Sequence, residues 1–501
     1  MLATALSASI VGVDGVPVRV EVDVAFGLPG LTIVGLAGSA VLESRERVRA
    51  ALRNSGFEVP SRRITVNLAP ADLPKEGTGH DLAMATGILV ASDQLDGRRL
   101  ARTALIGELA LDGTLRPVPG VMALVSAAHA AGARDAIVPA ESAAEGAVVR
   151  DIRVRGAREF RQVTRHLAGV EDLAVAGPPR RRPDAGLDDV PDLASVVGHV
   201  VGRRTLEIAV AGRHNLAFAG PPGVGKTLLA RSAAALLPLL DEREAAEVSR
   251  IHSVAGTGEP RASVSLRRPF RAPHHTISMQ ALVGGGPRIR PGEASLAHRG
   301  VLYLDETLQF RADALDALRG PIDAGTVTIG RVEGVLALPA RFMLLASFNP
   351  CPCGWFGVDR HACTCDDGVR RRYQARLSGP MRDRLDMLVN LEPVGFMRRA
   401  HPNEGSNVVA GRVATAAAMQ AERQGTPNAE IPAGRLNEQG GFSAATRALL
   451  DTRGRQLGLS MRRLHRASRV ARTIADLAGS SAVRVEHLDE ALLHRPKEVR
   501  P

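Results

Sequence analysis

The stretch Asn215–Leu236, NLAFAGPPGVGKTLLARSAAAL, decides the fold of this 501-residue chain. Within it, Gly220–Thr227 follow the pattern G-x-x-x-x-G-K-[ST], in which the backbone N–H groups of a glycine-rich loop wrap phosphates. Asn215–Ala219 has the pattern of a short buried strand, and Leu228–Leu236 that of a helix whose positive dipole end faces the phosphates. Strand, loop and helix in this order predict a nucleoside-triphosphate site on a parallel α/β sheet.

The loop residues have separate expected roles in binding ATP and Mg²⁺. We expect the ammonium of Lys226 on the β- and γ-phosphates, and the hydroxyl of Thr227 to help hold Mg²⁺. The glycines let the backbone approach the phosphates with no Cβ in the way. The predicted nucleotide-binding residues are Gly220, Pro221, Pro222, Gly223, Val224, Gly225, Lys226, Thr227 and Leu228.

Polar residues at the ends of two further predicted strands fit the same site. Asp305 and Glu306 follow the buried run Val301–Leu304, and Asn349 ends the run Phe342–Phe348. Asp305 is expected to hold Mg²⁺ through water, and Glu306 to orient and polarise the attacking water. Asn349 would lie between these carboxylates and the γ-phosphate. A P-loop with two such strand ends predicts ATP hydrolysis.

The remaining pattern divides the chain into an N-terminal domain (1–175), a linker (176–192), an ATPase core (193–395) and a helical C-terminal lid (396–501). The linker is rich in Pro, Arg and Asp and has neither helical nor strand period. In the lid, the strongest predicted helices are Ala444–Leu457, with Ser443 as N-cap, and Met461–Leu477. The N-terminal domain is predicted to contain the strands Val16–Val24 and Ile64–Leu68 and the helices Ala40–Ser55 and Leu82–Ser92.

Charge and composition favour a polyanionic partner and a cytoplasmic protein. The net charge is +11 and the isoelectric point is near 10.6, values that are typical of proteins that bind nucleic acid. Only three lysines are present, so arginine supplies nearly all of the positive charge. The N-terminus lacks the basic region of a signal peptide, and no apolar run is long enough to span a membrane. We therefore expect a cytoplasmic location and no membrane partner.

All four cysteines lie within residues 351–365, as two C-x-C pairs formed by Cys351 with Cys353 and Cys363 with Cys365. Four thiolates suit tetrahedral Zn²⁺, although one-residue spacing is tighter than the usual two to four. Free thiols and disulfides are the alternatives. Basic and aromatic residues flank the pairs, a composition that suits either single-stranded nucleic acid or a solvated surface.

Several stretches between Asp192 and His494 are long enough to identify a family: GRHNLAFAGPPGVGKT, RPFRAPHHTIS, PGEASLAHRGVLYLDE, ASFNPCPCG, RLSGPMRDRLD and ARTIADLAG. They resemble the magnesium-chelatase-like AAA+ family of the ComM/YifB group. This resemblance implies a hexameric ring with ATP bound between subunits. It also implies an arginine finger supplied in trans by Arg384, and a lid sensor at Arg462. The chain departs from the family where Thr307, Leu308 and Gln309 replace the usual Leu-Pro-Glu after the two acids.

The N-terminal domain resembles the proteolytic domain of Lon, which cleaves peptides with a Ser–Lys dyad. On that resemblance the serine would fall on Gly79 and the lysine on Met122. Both the nucleophile and its base are missing, so we predict that the chain is not an active protease. The predicted fold class is α/β: a Lon-protease-like α/β N-terminal domain, a P-loop AAA+ α/β core with a parallel sheet, and an α-helical lid.

The family resemblance and the charge together predict an ATP-dependent ring motor on DNA. The expected activity is that of a helicase or branch-migration factor in recombination or DNA uptake. The expected partners are single-stranded or branched DNA, further copies of the chain in a homo-hexamer, and recombination or DNA-uptake proteins. The alternatives are the ATPase subunit of a magnesium-chelatase-type complex and a nucleotide-gated assembly factor.

Overall fold

The computed structural model of the protein describes residues 1–182, 189–256, 263–286, 289–331, 334–358, 361–393 and 403–495. The centre of the predicted linker (183–188) and the predicted boundary between core and lid (395/396) lie outside the described residues.

The first 182 residues contribute ten strands and five helices to the described part of the chain. The strands are β1 (Leu2–Val11), β2 (Asp14–Ala25), β3 (Gly30–Val34), β4 (Arg63–Ala69), β5 (Thr103–Leu105), β6 (Glu108–Leu109), β7 (Leu115–Arg116), β8 (Asp135–Pro139), β9 (Arg153–Ala157) and β10 (Arg180–Arg182). The helices are α1 (Ser39–Asn54), α2 (Asp81–Ala91), α3 (Val121–Ala130), α4 (Ala143–Gly146) and α5 (Phe160–Leu167).

The rest of the described chain alternates strands and helices and then becomes helical. The strands are β11 (Leu216–Ala219), β12 (Ser263–Ser265), β13 (Phe270–Arg271), β14 (Gly284–Gly285), β15 (Arg290–Pro291), β16 (Val301–Leu304), β17 (Thr326–Arg331), β18 (Gly334–Pro339), β19 (Met343–Phe348) and β20 (Met387–Asn390). The helices are α6 (Val200–Gly212), α7 (Lys226–Leu236), α8 (Glu242–Ala255), α9 (Met279–Val283), α10 (Glu293–Leu296), α11 (Ala312–Ala317), α12 (Arg319–Ala324), α13 (Asp367–Gln374), α14 (Gly379–Arg382), α15 (Ser406–Gln424), α16 (Leu436–Gln439), α17 (Ala444–Gln456), α18 (Met461–Leu477) and α19 (Val485–Leu493).

The chain forms two compact units, and their membership does not follow the order of the chain. The first unit contains Met1–Arg182, Glu242–Ser265 and Arg288–Pro291. The second contains Pro183–Asp241, Leu266–Pro287 and Gly292–Pro501. Segments from the middle of the ATPase sequence therefore fold with the N-terminal residues.

The first unit is built on a mixed sheet with the order β3-β4-β2-β1-β5-β8-β9 in the described residues. Long antiparallel pairing of β1 with β2 and of β2 with β4 forms one half, and parallel pairs form the other. In β2, the alternating residues Val18, Val20, Val22 and Val24 are buried because side chains alternate between the two faces of a strand. The predicted strand at Val16–Val24 is thus confirmed.

Helix α8 packs in the first unit although it follows α7 directly in the sequence. Gly120 N–H donates to the carbonyl of Ser253 at 3.1 Å, near the end of α8. Arg150 forms an ion pair with Glu242 at 2.8 Å, and Arg250 one with Asp14 at 2.8 Å. The predicted boundaries had counted this helix in the ATPase core, whereas it folds in the first unit, where these contacts join it to N-terminal residues. In addition, Arg180–Arg182, within the predicted linker, form a strand that pairs in parallel with Ser263–Ser265.

The second unit contains the predicted parallel sheet, in the order β13-β16-β19-β11-β20. Each adjacent pair is parallel, and every residue of β11, β16 and β19 is buried. Strands buried on both faces are uniformly apolar, and for this reason they were visible in the sequence as short hydrophobic runs. The carboxyl ends of β11, β16 and β19 lie side by side at one edge.

The C-terminal region of the second unit is helical, as predicted. Ser443 caps α17 by accepting a hydrogen bond from the Thr446 N–H at 3.1 Å, and α18 has the predicted bounds. Inside this bundle Arg472 is fully buried and is paired with Asp476 at 2.9 Å. No helix in the described part of the chain is both long and apolar enough to cross a bilayer.

Candidate ATP site

The P-loop leaves the carboxyl end of β11 and turns into α7. Gly223 and Gly225 have φ values of +74° and +96°, in the left-handed region that glycine adopts without strain. Helix α7 begins at Lys226, two residues before the predicted start. The Lys226 ammonium donates hydrogen bonds to the Gly220 carbonyl at 2.7 Å and the Pro221 carbonyl at 2.8 Å. Burial lowers the pKa of Lys226 from its ordinary value, and the charges of Asp305 and Glu306 oppose that shift.

The predicted magnesium ligands meet at the carboxyl end of β16. The Thr227 hydroxyl donates to a carboxylate oxygen of Asp305 at 2.9 Å, although 78 residues separate the two in the chain. The register that places Leu304 beside Ala346 also brings Ser347 to Asp305, and its hydroxyl donates to the second carboxylate oxygen. A hydroxyl and a carboxylate are hard oxygen ligands of the kind that Mg²⁺ prefers. These residues therefore fit the ion.

Ser347 was missed by the sequence analysis. Its hydroxyl also accepts a hydrogen bond from the Tyr303 phenol at 3.0 Å, so β16 and β19 share a buried polar chain that ends on Asp305. Burial raises the pKa of Tyr303, which keeps the phenol a donor. A single serine inside the run MLLASF was the available signal, because a buried hydroxyl needs a partner.

Asn349 and Glu306 lie at the same edge of the sheet. The side-chain oxygen of Asn349 accepts a hydrogen bond from Lys226 at 2.9 Å. Glu306 has a left-handed backbone (φ 50°), and its side chain is half exposed. Its carboxylate lies 3.9 Å from Nδ1 of His275. Glu306 can therefore reach solvent water beside the place where phosphates would bind.

Residues outside the motif also hold the loop. His199, just before α6, places Nε2 2.8 Å from the Val224 carbonyl and so ties the P-loop to that helix. Thr227 and Leu228 line an open cavity of about 410 Å³, with Asp189–Pro191 of the predicted linker on its wall. Leu228 is partly exposed there.

The two predicted arginines lie at the opposite end of the sheet. Asn215, which precedes β11, donates a side-chain hydrogen bond to the Arg384 carbonyl at 3.0 Å. The Arg384 guanidinium is buried, donates to the Arg319 carbonyl at 3.1 Å, and forms an ion pair with Asp323. The strand between Asn215 and the P-loop spans about 13 Å. The structure therefore does not bring Arg384 to the P-loop of its own chain.

Arg462 is exposed at the start of α18 and lies at that same end. It lines a cavity of about 860 Å³ whose wall includes Asn215 and Asp323. This basic cavity is also lined by Arg299, Arg341, Arg435, Arg466 and Arg469. Arg462 is thus separated from Lys226 of its own chain, so a sensor role would require the nucleotide of another copy.

The lid is joined to the segment that carries Arg384 by charged pairs. Arg463 pairs with Asp383 at 3.1 Å, and Arg466 pairs with Asp386 at 2.7 Å. Arg466 also donates to the Arg384 carbonyl at 2.8 Å. The acidic neighbours of Arg384 in sequence are therefore occupied by the lid, and Asp323 is left as its partner.

The four cysteine sulfurs converge, with Cys351 buried and the others partly exposed. Sγ of Cys351 lies 3.3 Å from that of Cys353 and 3.7 Å from that of Cys363, and Cys353 and Cys363 are 3.6 Å apart. All four ligand atoms lie within 4.8 Å of one another. Zn–S bonds of 2.3 Å at tetrahedral angles place sulfurs about 3.8 Å apart. The cluster fits Zn²⁺, and none of the four sulfurs is in a disulfide.

Hydrogen bonds and burial give the thiols different acidities. Burial raises the pKa of Cys351 to about 12, whereas the backbone N–H of Trp355 lowers that of Cys353 to about 5. The loop is attached to α13, because Arg370 donates to the Cys365 carbonyl at 2.9 Å. The guanidinium of Arg370 also stacks 4.3 Å from the centre of the Phe356 ring.

In the N-terminal unit neither position of the expected protease dyad carries a reactive side chain. Gly79 has none, and Met122 is buried. The hydroxyl of Thr78 is bound to Glu108. His80 lies 3.0 Å from the Ser7 hydroxyl, but both are almost fully buried, and burial lowers the pKa of His80 to about 4. This hydroxyl–imidazole pair, which the sequence did not indicate, is closed to a peptide.

Most of the chain matches known families. Residues 192–398 match "Magnesium chelatase, subunit ChlI", 20–142 match "Subunit ChlI of Mg-chelatase", and 403–495 match "Magnesium chelatase, subunit ChlI C-terminal". The chain is 41% identical to YifB of Escherichia coli over 97% of this chain and 95% of that protein. It is also 41% identical to the competence protein ComM of Haemophilus influenzae, over 99% and 97%. A shorter match, 30% identical over 28% of this chain and 18% of the relative, is to the Lon protease of Salinispora arenicola.

Proposed function

The chain belongs to the magnesium-chelatase-like AAA+ family of ComM and YifB, and on that premise we propose that it is an ATP-driven ring motor acting on DNA. Membership of this family indicates an ATPase that uses ATP and Mg²⁺. The observation that carries the proposal is the pair of hydrogen bonds from Lys226 to Asn349 and from Thr227 to Asp305. They join the P-loop to the ends of β19 and β16 at one site.

Each residue of this site has a role in hydrolysis. The N–H groups of the glycine loop and the Lys226 ammonium would bind the β- and γ-phosphates of ATP, and Thr227 and Asp305 would hold Mg²⁺. The ion, when bound, neutralises charge that develops on the phosphate oxygens. Glu306 would orient water toward the γ-phosphorus and take its proton. Asn349 would position both the water and the phosphate, since it already contacts Lys226.

The arrangement of the arginines supports assembly of several copies. Arg384 and Arg462 lie at the end of the sheet opposite the P-loop, so one chain cannot supply them to its own nucleotide. A second copy whose basic cavity faces the P-loop would bring both arginines to the γ-phosphate. Arg384 would exchange Asp323 for the phosphate as its partner. Repetition of this head-to-tail contact closes a ring, for which we propose six copies.

Charge supports DNA as the substrate. The net charge of +11 favours a polyanion, and Arg371 and Arg372 are exposed on α13, next to the cysteine loop. We assign single-stranded or branched DNA as the ligand and helicase or branch-migration activity in recombination or DNA uptake as the work done. The proposed partners are proteins of those processes in the cytoplasm. The N-terminal unit would act as a scaffold and not as a protease, because its dyad positions are Gly79 and Met122.

The test is ATP turnover of the purified protein without DNA and with single strands, duplex or a four-way junction. We expect DNA to raise turnover at least several-fold, with the largest effect from the preferred structure. Lys226→Ala should abolish turnover under every condition. Turnover that is indifferent to all of these DNAs would reject the DNA motor, and an absence of turnover in the unaltered protein would reject the ATPase itself.

A further inference from the structure

We propose that the four-cysteine cluster binds a structural zinc ion that keeps the P-loop in its phosphate-binding shape. This inference rests on the proposed ATPase function and assigns a role to a metal site outside the ATP-binding motifs. The cysteine cluster and the ATP site are close neighbours in the sequence. Asn349, which contacts Lys226, is separated from Cys351 by Pro350 alone.

The first two cysteines lie on one tight turn of the loop. The Gly354 N–H donates to the Cys351 carbonyl at 3.0 Å and closes a tight turn around Cys353. Gly354 has a left-handed φ of +85°, which favours glycine. A metal bound by Cys351 and Cys353 would therefore fix the direction in which Gly354 faces.

That turn packs against the P-loop. A Cβ placed on Gly354 would lie 2.5 Å from Cδ and 3.1 Å from Cγ of Pro222. Such distances mean that the turn already packs against Pro222 with no space for a methyl group. Pro222 lies in the centre of the loop Gly220–Thr227. A shift of the turn would therefore reach the loop that wraps the phosphates.

Residues of α13 support the cysteine cluster on its outer side. Zinc bound by four thiolates leaves a site with a net charge of −2, which a neighbouring cation stabilises. Arg370 supplies that cation, because its guanidinium bonds the Cys365 carbonyl at 2.9 Å and lies 4.0 Å from Sγ of Cys363. The Gln374 side chain donates to the Pro350 carbonyl at 3.0 Å and attaches the same loop to α13. The loop is thus held on one side by α13 and packs on the other against the P-loop.

A reporter is built into the site. Trp355 is the only tryptophan of the chain, directly follows Gly354, and packs against His361 with ring centres 4.2 Å apart. Its fluorescence therefore reports on the cluster without a label. If the turn supports the P-loop, the emission should change both when zinc is removed and when ATP binds.

The first experiment measures zinc by mass spectrometry and Trp355 emission in the full-length protein. We expect one zinc per chain, a change in emission on chelation and another on ATP addition. Cys353→Ser and Cys363→Ser should each lose the zinc and weaken ATP binding at least tenfold. A protein purified without zinc that does not take up added Zn²⁺ would overturn the proposal.

The second experiment separates support of the P-loop from folding of the cysteine loop. Gly354→Ala and Gly357→Ala place the same methyl group at left-handed positions (φ +85° and +78°) three residues apart, but only Gly354 faces Pro222. A Cβ on Gly357 meets nothing within 4 Å. We expect Gly354→Ala to keep zinc and weaken ATP binding about tenfold, and Gly357→Ala to keep both. Equal ATP affinity in the two variants would overturn the proposed link.

The two proposals fail in different ways. Basal ATP turnover without DNA, together with a zinc-free protein, would reject this inference and leave the ATPase in place. Stoichiometric zinc with an emission change on chelation, but no ATP binding by the unaltered protein, would reject the proposed function and the role of the metal in supporting the P-loop. Stoichiometric zinc with ATP affinity unchanged after its removal would reject that supporting role alone.

Discussion

Lys226 donates a hydrogen bond of 2.9 Å to the side-chain oxygen of Asn349, and this bond joins the start of α7 to the end of β19. The other two donors of the ammonium are directed to the Gly220 and Pro221 carbonyls. Two of these acceptors belong to the P-loop, and Asn349 lies beside it. The phosphates of ATP would compete for these donors, so Asn349 is placed to respond to the γ-phosphate.

Asn349→Ala should therefore lower kcat about 100-fold, because a preorganised polar group at the transferred phosphate is lost. The KM for ATP should change only a few-fold, since the glycine loop and Lys226 remain. Steady-state ATPase kinetics provide the measurement. Asn390→Ala, at the end of β20 on the far side of β11, is the matched control and should behave as the unaltered protein. A normal kcat for Asn349→Ala would remove this residue from the site.

Glu306→Gln should bind ATP and fail to hydrolyse it. An amide of the same shape cannot take the proton of the attacking water, so we expect a loss of kcat of about 10² to 10⁴. ATP binding measured by calorimetry should stay within a few-fold of normal. Glu422→Gln, on the exposed face of α15, makes the same chemical change away from the site. If Glu306→Gln retained full turnover, another base would have to be sought.

Arg384→Ala should abolish ATP turnover, because Arg384 would act on the nucleotide that a neighbouring copy binds. An arginine finger contributes about 10³ to 10⁵ in rate, and Lys226→Ala removes nucleotide binding at the other half of the same interface. Neither variant should hydrolyse ATP alone. A mixture of the two should regain part of the activity, because some interfaces then combine an intact P-loop with an intact Arg384.

The mixing experiment also tests assembly. Recovery should depend on total protein concentration and should follow the appearance of mixed oligomers in native mass spectrometry. No recovery in demonstrably mixed oligomers would contradict the assignment of Arg384 in trans. High activity of Arg384→Ala alone would contradict any finger role.

Removal of two exposed arginines from α13 should weaken DNA binding. The double variant Arg371→Ala/Arg372→Ala takes away two candidate phosphate contacts, so the slope of log affinity against log salt should become less steep by about 1 to 2. Fluorescence anisotropy with a labelled single strand measures that slope. Arg447→Ala/Arg455→Ala, on α17, removes the same charge elsewhere and should leave the slope unchanged. Equal slopes for the two double variants would exclude α13 as a DNA contact.

Stability should fall on acidification through His214. Its Nε2 lies 2.7 Å from the Thr473 hydroxyl, and burial lowers its pKa to about 4, from about 6.5 in an unfolded chain. Between these values only the unfolded chain gains the proton. The stabilising effect is therefore complete above pH 6.5 and is lost as the pH falls toward 4, by about 3 kcal/mol.

Urea unfolding at pH 7.5 and pH 4.5 measures this loss. His214→Gln should be less stable at pH 7.5, and its difference from the unaltered protein should shrink by about 2 to 3 kcal/mol at pH 4.5. A constant difference for His214→Gln at both pH values would mean that His214 does not titrate on unfolding.

Much of the ATP site could be predicted because its signals are local or lie at strand ends. The order of glycines, Lys226 and Thr227 specifies a loop and a helix start within a few residues. Asp305 and Asn349 follow uniformly apolar runs, and the ends of parallel strands meet at one edge. Ser347 was missed because its role depends on the strand register, which pairs Leu304 with Ala346.

By itself the sequence determined the P-loop, the strands around it, the grouping of four cysteines within fifteen residues and the lid helix Met461–Leu477. These features depend on side chains that are close in the chain or on periodicity along one element. Only the tertiary structure decided that Gly354 packs on Pro222, that Arg384 pairs with Asp323, and that α8 joins the N-terminal unit. Those contacts link residues tens to more than a hundred positions apart, and packing of the whole chain, which no local pattern encodes, selects them.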